Sequence, residues 1–275
     1  MDDQNLKELQ NMSRSIRQWI IRSLAEAGSG HTGGSLGLSD VFTYLYFKVM
    51  KHRPNQPDWE GRDHLILSIG HVAPVFYSTL AHAGYFHLDE LLTLRKLGSR
   101  LQGHPGKDHG LPGIELSSGS LGQGLSVGVG LAISKRINNN DTCVFVVMGD
   151  GELQEGSVWE AAMSASHHKL NRLIAIVDRN GLQIDGKTSD VMEIEPLKQK
   201  WESFGWKVLE CDGNNFADLE TAFDKAISNV VGPVVIIART IMGKGIPSIE
   251  NDYRWHGKVP SREQAIEFQK DLEDL

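Results

Sequence analysis

The sequence predicts an α/β fold, a doubly wound and mostly parallel sheet with helices on both faces. Three short apolar runs rich in β-branched residues carry that reading, at residues 142–148, 173–177 and 234–238. Helical patterns lie between them, at 157–168 after the first run and 216–229 before the last. Short buried strands alternating with helices are what a parallel sheet between two helical layers requires.

The other elements follow in chain order. Leu6, Leu9, Met12, Ile16, Ile20 and Leu24 recur at helical spacing, and Gly28 and Gly30 supply the stop that a helix C-terminus favours. Residues 1–27 are therefore expected as an amphipathic helix packed on a single domain spanning 1–275. The runs 41–50 and 88–97 also read as helices, 64–68 as a short buried strand, and 206–210 as a further strand. Residues 121–133 carry Gly122, Gly124, Ser126, Gly128, Gly130 and Ala132, so much of that helix has little side-chain bulk. Such a helix lets another backbone approach closely, either inside one subunit or across a subunit interface.

Composition excludes several classes of function. The chain has 275 residues, 40% hydrophobic and 23% charged, enough for one large core. A net charge of -7 without a long basic run argues against nucleic acid or anionic lipid as partner. The first ten residues are acidic and polar, unlike a secretory signal, and no segment has the apolar length of a membrane span. Cys143 and Cys211 are the only cysteines and form no C-x-x-C pair, so neither a disulfide framework nor a thiolate metal site is expected. A reduced, cytoplasmic protein is the expectation.

The sharpest constellation lies where the run 142–148 enters Gly149-Asp150-Gly151, with Asn180 placed 30 positions after Asp150 at the end of another strand. Both side chains then sit at the carboxyl ends of parallel strands, the edge at which ligands bind and helix N-termini offer free N–H groups to phosphate. One charged and one neutral oxygen suit Mg²⁺ that shares its octahedron with phosphate oxygens, a backbone carbonyl and water; a Ca²⁺ cage calls for more carboxylates. Gly-Asp-Gly alone is a common turn, and the distant Asn is what gives it weight.

GDG, 28 residues and then N is similar to the thiamine diphosphate motif, and the stretch GELQEGSVWEAAMSASHHKLNRLIAIVDRNGLQIDG resembles transketolases in particular. Five further segments, SGHTGGSLG, SIGHVAPVFYS, LQGHPG, SSGSLGQGLS and WHGK, occur in family order and extend the resemblance over most of the chain. The resemblance implies the diphosphate-binding domain of the thiamine diphosphate fold. It assigns Asp150, Asn180 and the Leu182 carbonyl to the metal, Mg²⁺ or another divalent cation such as Ca²⁺ or Mn²⁺, and Gly151 to the diphosphate. Gly119, Ser120 and Leu121 match the segment that meets the aminopyrimidine.

A lone histidine is most often a surface or structurally hydrogen-bonded residue. His31, His71, His104 and His256, however, each have a glycine neighbour, as in loops where backbone and ligand meet closely. A ketol transfer needs groups that donate or accept protons near neutral pH, which imidazoles do. By resemblance His31 and His104 contact the sugar and its reacting oxygens, and His71 and His256 lie at cofactor and substrate together. Glu155 reads equally as an ordinary acidic residue near a helix N-terminus and, by resemblance, as part of a carboxylate network reaching across the subunit interface.

In transketolases the glutamate that activates the aminopyrimidine belongs to a second α/β domain, and this chain stops soon after WHGKVP. A split enzyme is therefore expected, with a separately encoded pyrimidine-binding subunit in an α2β2 assembly and sugar phosphates as substrates. Thr32 stands where many relatives have proline and lacks its φ restriction, so the substrate loop is expected to differ. Two other readings remain open: a sibling enzyme that decarboxylates a 2-oxo acid, and a noncatalytic regulatory subunit that retains the cofactor pocket.

Overall fold

The computed structural model describes residues 1–273; positions 274–275 of the expected domain lie outside them. Five strands, β1 (His64–Leu67), β2 (Val144–Gly149), β3 (Leu173–Arg179), β6 (Lys207–Asp212) and β7 (Val234–Arg239), form one sheet in the order β1-β2-β3-β7-β6. Every pairing in it is parallel. A small antiparallel hairpin, β4 (Leu182–Gln183) and β5 (Gly186–Lys187), stands apart from it.

Side chains along each strand alternate between two cores, the period-2 pattern of a sheet covered on both faces. Phe145, Val147, Ile174, Ile176 and Ile236 join one core with α1 (Asp3–Ala27), α2 (Gly33–Gly37), α3 (Ser39–Tyr44), α4 (Ala73–His82) and α9 (Phe216–Ile227). Val144, Val146, Ala175, Val177 and Val235 join the other with α5 (Gly124–Ile137), α6 (Gly156–His167) and α8 (Leu197–Ser203). The short α7 (Thr188–Val191) follows the hairpin, and α10 (Arg262–Glu273) packs on α1. Among the described residues no helix is long and apolar enough to cross a membrane.

The first helix ends as its sequence requires, with Gly28 in the left-handed region at φ 65° donating its N–H to Leu24 O. Two helical expectations need correction. Residues 88–97 form only a 3₁₀ turn, Leu88–Thr93, because Leu91 and Leu94 are buried at three-residue spacing and the chain then turns back, Arg95 N–H donating to Leu101 O at 2.7 Å. The expected helix at 41–50 starts earlier, as α3, and its last turn widens into a π turn, Leu45–Val49. Strand β6 lies one to two residues beyond the predicted 206–210, and helices α4, α8 and α10 have no counterpart in the sequence reading.

The small-residue helix α5 has two distinct faces. A Cβ on Gly128 would lie 2.5 Å from Val146 Cγ2, so this glycine lets the helix lie directly on β2, whereas a Cβ on Gly130 meets nothing within 4 Å. Gly128→Ala is therefore expected to cost about 1–3 kcal/mol through overpacking. Gly130→Ala should instead add roughly 0.5–1 kcal/mol to the isolated chain through helix propensity. Urea melts of the two variants check this, and equal shifts would contradict it.

Candidate active site

The carboxyl ends of β1, β2 and β3 and the loops that follow them enclose a cavity of about 360 Å³. Register places Gly149 opposite Asp178, so the turn after β2 and the end of β3 reach the same level. The loop after β1 is held against the segment before α5: a Cβ on Gly70 would stand 2.9 Å from the Ser118 carbonyl carbon, so only glycine permits the backbones to meet. A second cavity, about 310 Å³, lies at the opposite edge of the sheet. Its cations Lys135, Arg136 and Arg172 donate to backbone carbonyls of Arg62, His168 and Ile227, so it brings together no comparable set of free groups.

Of the residues expected from sequence, His31, His71, His104, His256, Gly119, Leu121, Asp150, Gly151, Glu155, Asn180 and Leu182 all line the first cavity. Ser120 does not: it is exposed in the turn before α5. Glu155 is the N-cap of α6 but makes no side-chain capping bond, and its stem lies against Gly122, where a Cβ would come within 2.8 Å of Glu155 Cβ. Its place at the start of α6 agrees with the helix-dipole reading, and its position on the cavity wall leaves the second reading open as well.

Asp150 is 2% exposed and well partnered. Its Oδ1 accepts from Gly151 N at 2.8 Å, and its Oδ2 accepts from Gly181 N at 2.6 Å and Arg179 Nη1 at 2.8 Å. Burial nonetheless raises its carboxyl above the usual range, with Arg179 and Gly181 pulling the other way. A buried carboxylate of this kind is relieved by a cation. Asn180 donates its Nδ2 to Asp178 Oδ2 at 2.9 Å and accepts from Leu182 N at 2.9 Å, which fixes the orientation of its amide oxygen. Among the described residues no group of three or more His, Cys, Asp or Glu side chains could hold a metal. One carboxylate, one amide oxygen and one carbonyl beside a glycine-walled cavity match instead a small hard cation that shares its shell with diphosphate oxygens.

The four histidines form one cluster. Ring centroids of His71 and His256 are 4.8 Å apart, His31 and His71 5.1 Å, His31 and His256 5.7 Å, and His31 and His104 6.3 Å. His31 and His256 each have a buried Nδ1 with no hydrogen-bond partner among the described residues. Burial, and then the neighbouring histidines, lowers His31 to about 4 and His71 to about 3; burial also lowers His104 and His256. At neutral pH the cluster is therefore uncharged, and each ring can donate at one nitrogen and accept at the other.

Those depressed values carry a pH signature. As pH falls through 6.5 the unfolded chain takes up a proton that folded His71 refuses, so stability is lost down to the folded value near 3. Asp178 acts in the opposite sense: burial raises it to about 7, the folded state takes up that proton first, and stability is gained as pH falls. The histidine contribution is isolated by difference. Between pH 7.5 and 5, His71→Gln should gain about 2 kcal/mol relative to wild type; parallel denaturant curves at the two pH values would refute this.

Two carboxylates at the site were not read from the sequence. Asp178 accepts from Thr240 Oγ1 and aligns Asn180. Strand alternation puts residues 178 and 180 on one side, and a charge ending so apolar a run was the available signal. Glu152, buried, accepts from Ser68 Oγ, from Gly122 N at 2.7 Å and from Gly149 N at 3.2 Å, so it ties together the three loops that wall the cavity. Burial raises it, against those three hydrogen bonds. Its partners are far apart in sequence, and nothing local marks it.

Residues 9–272 match the family described as "Transketolase, thiamine diphosphate binding domain". The chain is 38% identical over 269 residues to one subunit of the apulose-4-phosphate transketolase of Phocaeicola vulgatus, covering 98% of this chain and 95% of that one. It is 39% identical over 256 residues to a 6-deoxy-6-sulfo-D-fructose transketolase subunit of a Clostridium species, covering 93% and 92%. Among solved structures, transketolase from Leishmania mexicana superposes with a TM-score of 0.91 at 32% identity over 96% of this chain. That from Campylobacter jejuni superposes at 0.88 and 33% over 100%. The chain spans 41% and 43% of those two structures.

Proposed function

Because this chain belongs to the transketolase family through its thiamine diphosphate-binding domain, we propose that it is the diphosphate-binding subunit of a split transketolase. In this reading it transfers a two-carbon ketol unit from a ketose phosphate to an aldose phosphate. The observation that carries the reading is the convergence of the Asp150, Asn180 and Leu182 donor set with four neutral histidines in one cavity.

The residues present fit the cofactor. Asp150, Asn180 and the Leu182 carbonyl would hold Mg²⁺, or Ca²⁺ or Mn²⁺ in its place, and Gly151 would let the diphosphate approach the backbone. Thiamine diphosphate, when bound, would supply the carbon nucleophile that ketol transfer requires. His31 and His104 then bind the sugar hydroxyls and exchange protons with its reacting oxygens, while His71 and His256 orient cofactor and substrate together. Burial keeps these rings uncharged, so each can give a proton at one nitrogen and take one at the other without a charge to desolvate. Gly119 and Leu121, with Ser120 between them, would meet the aminopyrimidine.

A separate pyrimidine-binding subunit completes the site, in an α2β2 assembly. Support comes from the relative of nearly equal length whose name makes it one subunit of a transketolase, and from the open face of α5 around Gly130. The two relatives' names specify a phosphate and a sulfo group, so a ketose bearing a terminal anion is the substrate class we assign. Cytoplasmic residence accords with two unpaired, buried cysteines.

The test is a product assay on the chain reconstituted with its partner, Mg²⁺ and thiamine diphosphate. Ketol transfer from a ketose phosphate to an aldose phosphate is expected, without release of carbon dioxide from 2-oxo acids. Carbon dioxide release would favour the decarboxylating sibling, and no turnover of either kind would favour a regulatory subunit.

A further inference from the structure

Arg179, the last residue of β3, reaches back over the metal donors and holds three acceptors from one guanidinium. Its Nη1 donates to Asp150 Oδ2 at 2.8 Å and to Thr188 Oγ1 at 3.0 Å, and its Nη2 donates to Glu195 Oε1 at 3.0 Å. We propose that Arg179 is a positioning residue for the divalent cation: by occupying Asp150 Oδ2 it leaves Oδ1 as the oxygen free to bind metal, and it ties the Asp150 carboxylate to the strap that supplies the carbonyl donor. The inference rests on the metal assignment under Proposed function.

The hydrogen-bond pattern of Asp150 carries the first half. Oδ2 accepts from both Arg179 and Gly181, whereas Oδ1 accepts only from its neighbour Gly151. A carboxylate oxygen has about two acceptor sites, so a free one remains on Oδ1 alone and Asp150 binds the metal through one oxygen.

The strap carries the second half. Residues 182–195 comprise the hairpin β4–β5, helix α7 and the return towards α8, with Leu182, Gln183 and Ile184 lining the cavity. Thr188 N donates to Gly181 O at 3.0 Å, and Gln154 Nε2 donates to Gln183 Oε1 at 2.8 Å and to Met192 O at 2.9 Å. Arg179 pins the strap at Thr188 and Glu195, so the guanidinium that orients Asp150 also sets the position of the Leu182 carbonyl.

A cation beside a metal site would ordinarily compete with the metal. Here the charge of Arg179 is matched by the ion pair to Glu195. Arg179 also pairs with Asp150, so the three groups together keep one net negative charge for the metal. Removing an outer partner of a ligating carboxylate weakens metal binding by about 10- to 100-fold, whereas removing a competitor would tighten it.

The experiment is a Mn²⁺ titration followed by electron paramagnetic resonance, on the chain in complex with its partner and saturated with thiamine diphosphate. Trypsin nicking after Lys187, in the hairpin, is measured alongside it. Arg179→Ala should weaken Mn²⁺ about tenfold or more and lose the protection of Lys187 that metal confers on wild type. Arg179→Lys, with a point charge in place of a planar fork, should recover only part of it. Glu195→Gln should keep the strap in place yet weaken Mn²⁺, because the arginine charge is then unmatched; this variant carries the test if Arg179→Ala fails to fold. Unchanged or tighter Mn²⁺ binding in these variants overturns the inference. If wild type itself binds no Mn²⁺ with thiamine diphosphate, the metal assignment fails instead.

Discussion

Asp150→Ala is expected to abolish metal-dependent binding of thiamine diphosphate. Asp150 is the only carboxylate in the donor set, so its loss leaves Asn180 and a backbone carbonyl, two neutral oxygens, against a divalent charge. Outer partners of such a ligand already count for about 10- to 100-fold in affinity, and the ligand itself should count for more than about a hundredfold. The variant also frees Arg179 Nη1, which retains Thr188 and Glu195. Asp150→Asn preserves shape while removing charge, and it should fail nearly as badly. Calorimetric titration of thiamine diphosphate with and without Mg²⁺ checks both variants. An undiminished difference between the two conditions would sink the metal assignment.

Without a pyrimidine-binding partner the chain is expected to turn over at least about a thousandfold more slowly, since a positioned acid or base contributes about 10²–10⁴. The reason lies in the cavity's own carboxylates. Asp150, Glu152 and Asp178 are buried and already engaged: Asp150 by Arg179, Gly181 and Gly151, Glu152 by Ser68, Gly122 and Gly149, and Asp178 by Thr240 and Asn180. Only Glu155 is exposed at the rim. In the proposed split-site reading the carboxylate that activates the aminopyrimidine comes from a second chain, with Glu155 at the rim as the residue it would meet. Rates of ketol transfer by chain alone, partner alone and the mixture check this; equal rates for chain alone and the mixture would end the split-site account.

The sheet was legible because its strands are short, apolar and buried on both faces, so residues 142–148, 173–177 and 234–238 stand out against any background. The segment 88–97 was misread because its leucines satisfy a three-residue period as readily as a helical one, and burial of Leu91 and Leu94 decided between them. Most of the cavity lining was legible too, since Asp150 and Asn180 follow the ends of β2 and β3 and the glycine-flanked histidines fall in loops that the fold gathers beside them. Ser120 lies exposed beside the lining residues Gly119 and Leu121, a detail of the turn that motif spacing does not specify. Glu152, Asp178 and Arg179 escaped because each acts on groups brought close only by the fold: Glu152 on loops after β1 and before α5, Asp178 on Thr240, and Arg179 on Asp150, Thr188 and Glu195.

The proposed function makes this cavity the metal and diphosphate half of a thiamine diphosphate site. Diffraction from crystals grown with thiamine diphosphate and Mn²⁺, collected for the anomalous signal of manganese, tests it most directly. One peak is expected between Asp150, Asn180 and the Leu182 carbonyl, with the diphosphate against Gly151. A manganese peak elsewhere, or diphosphate bound away from these residues, would contradict it.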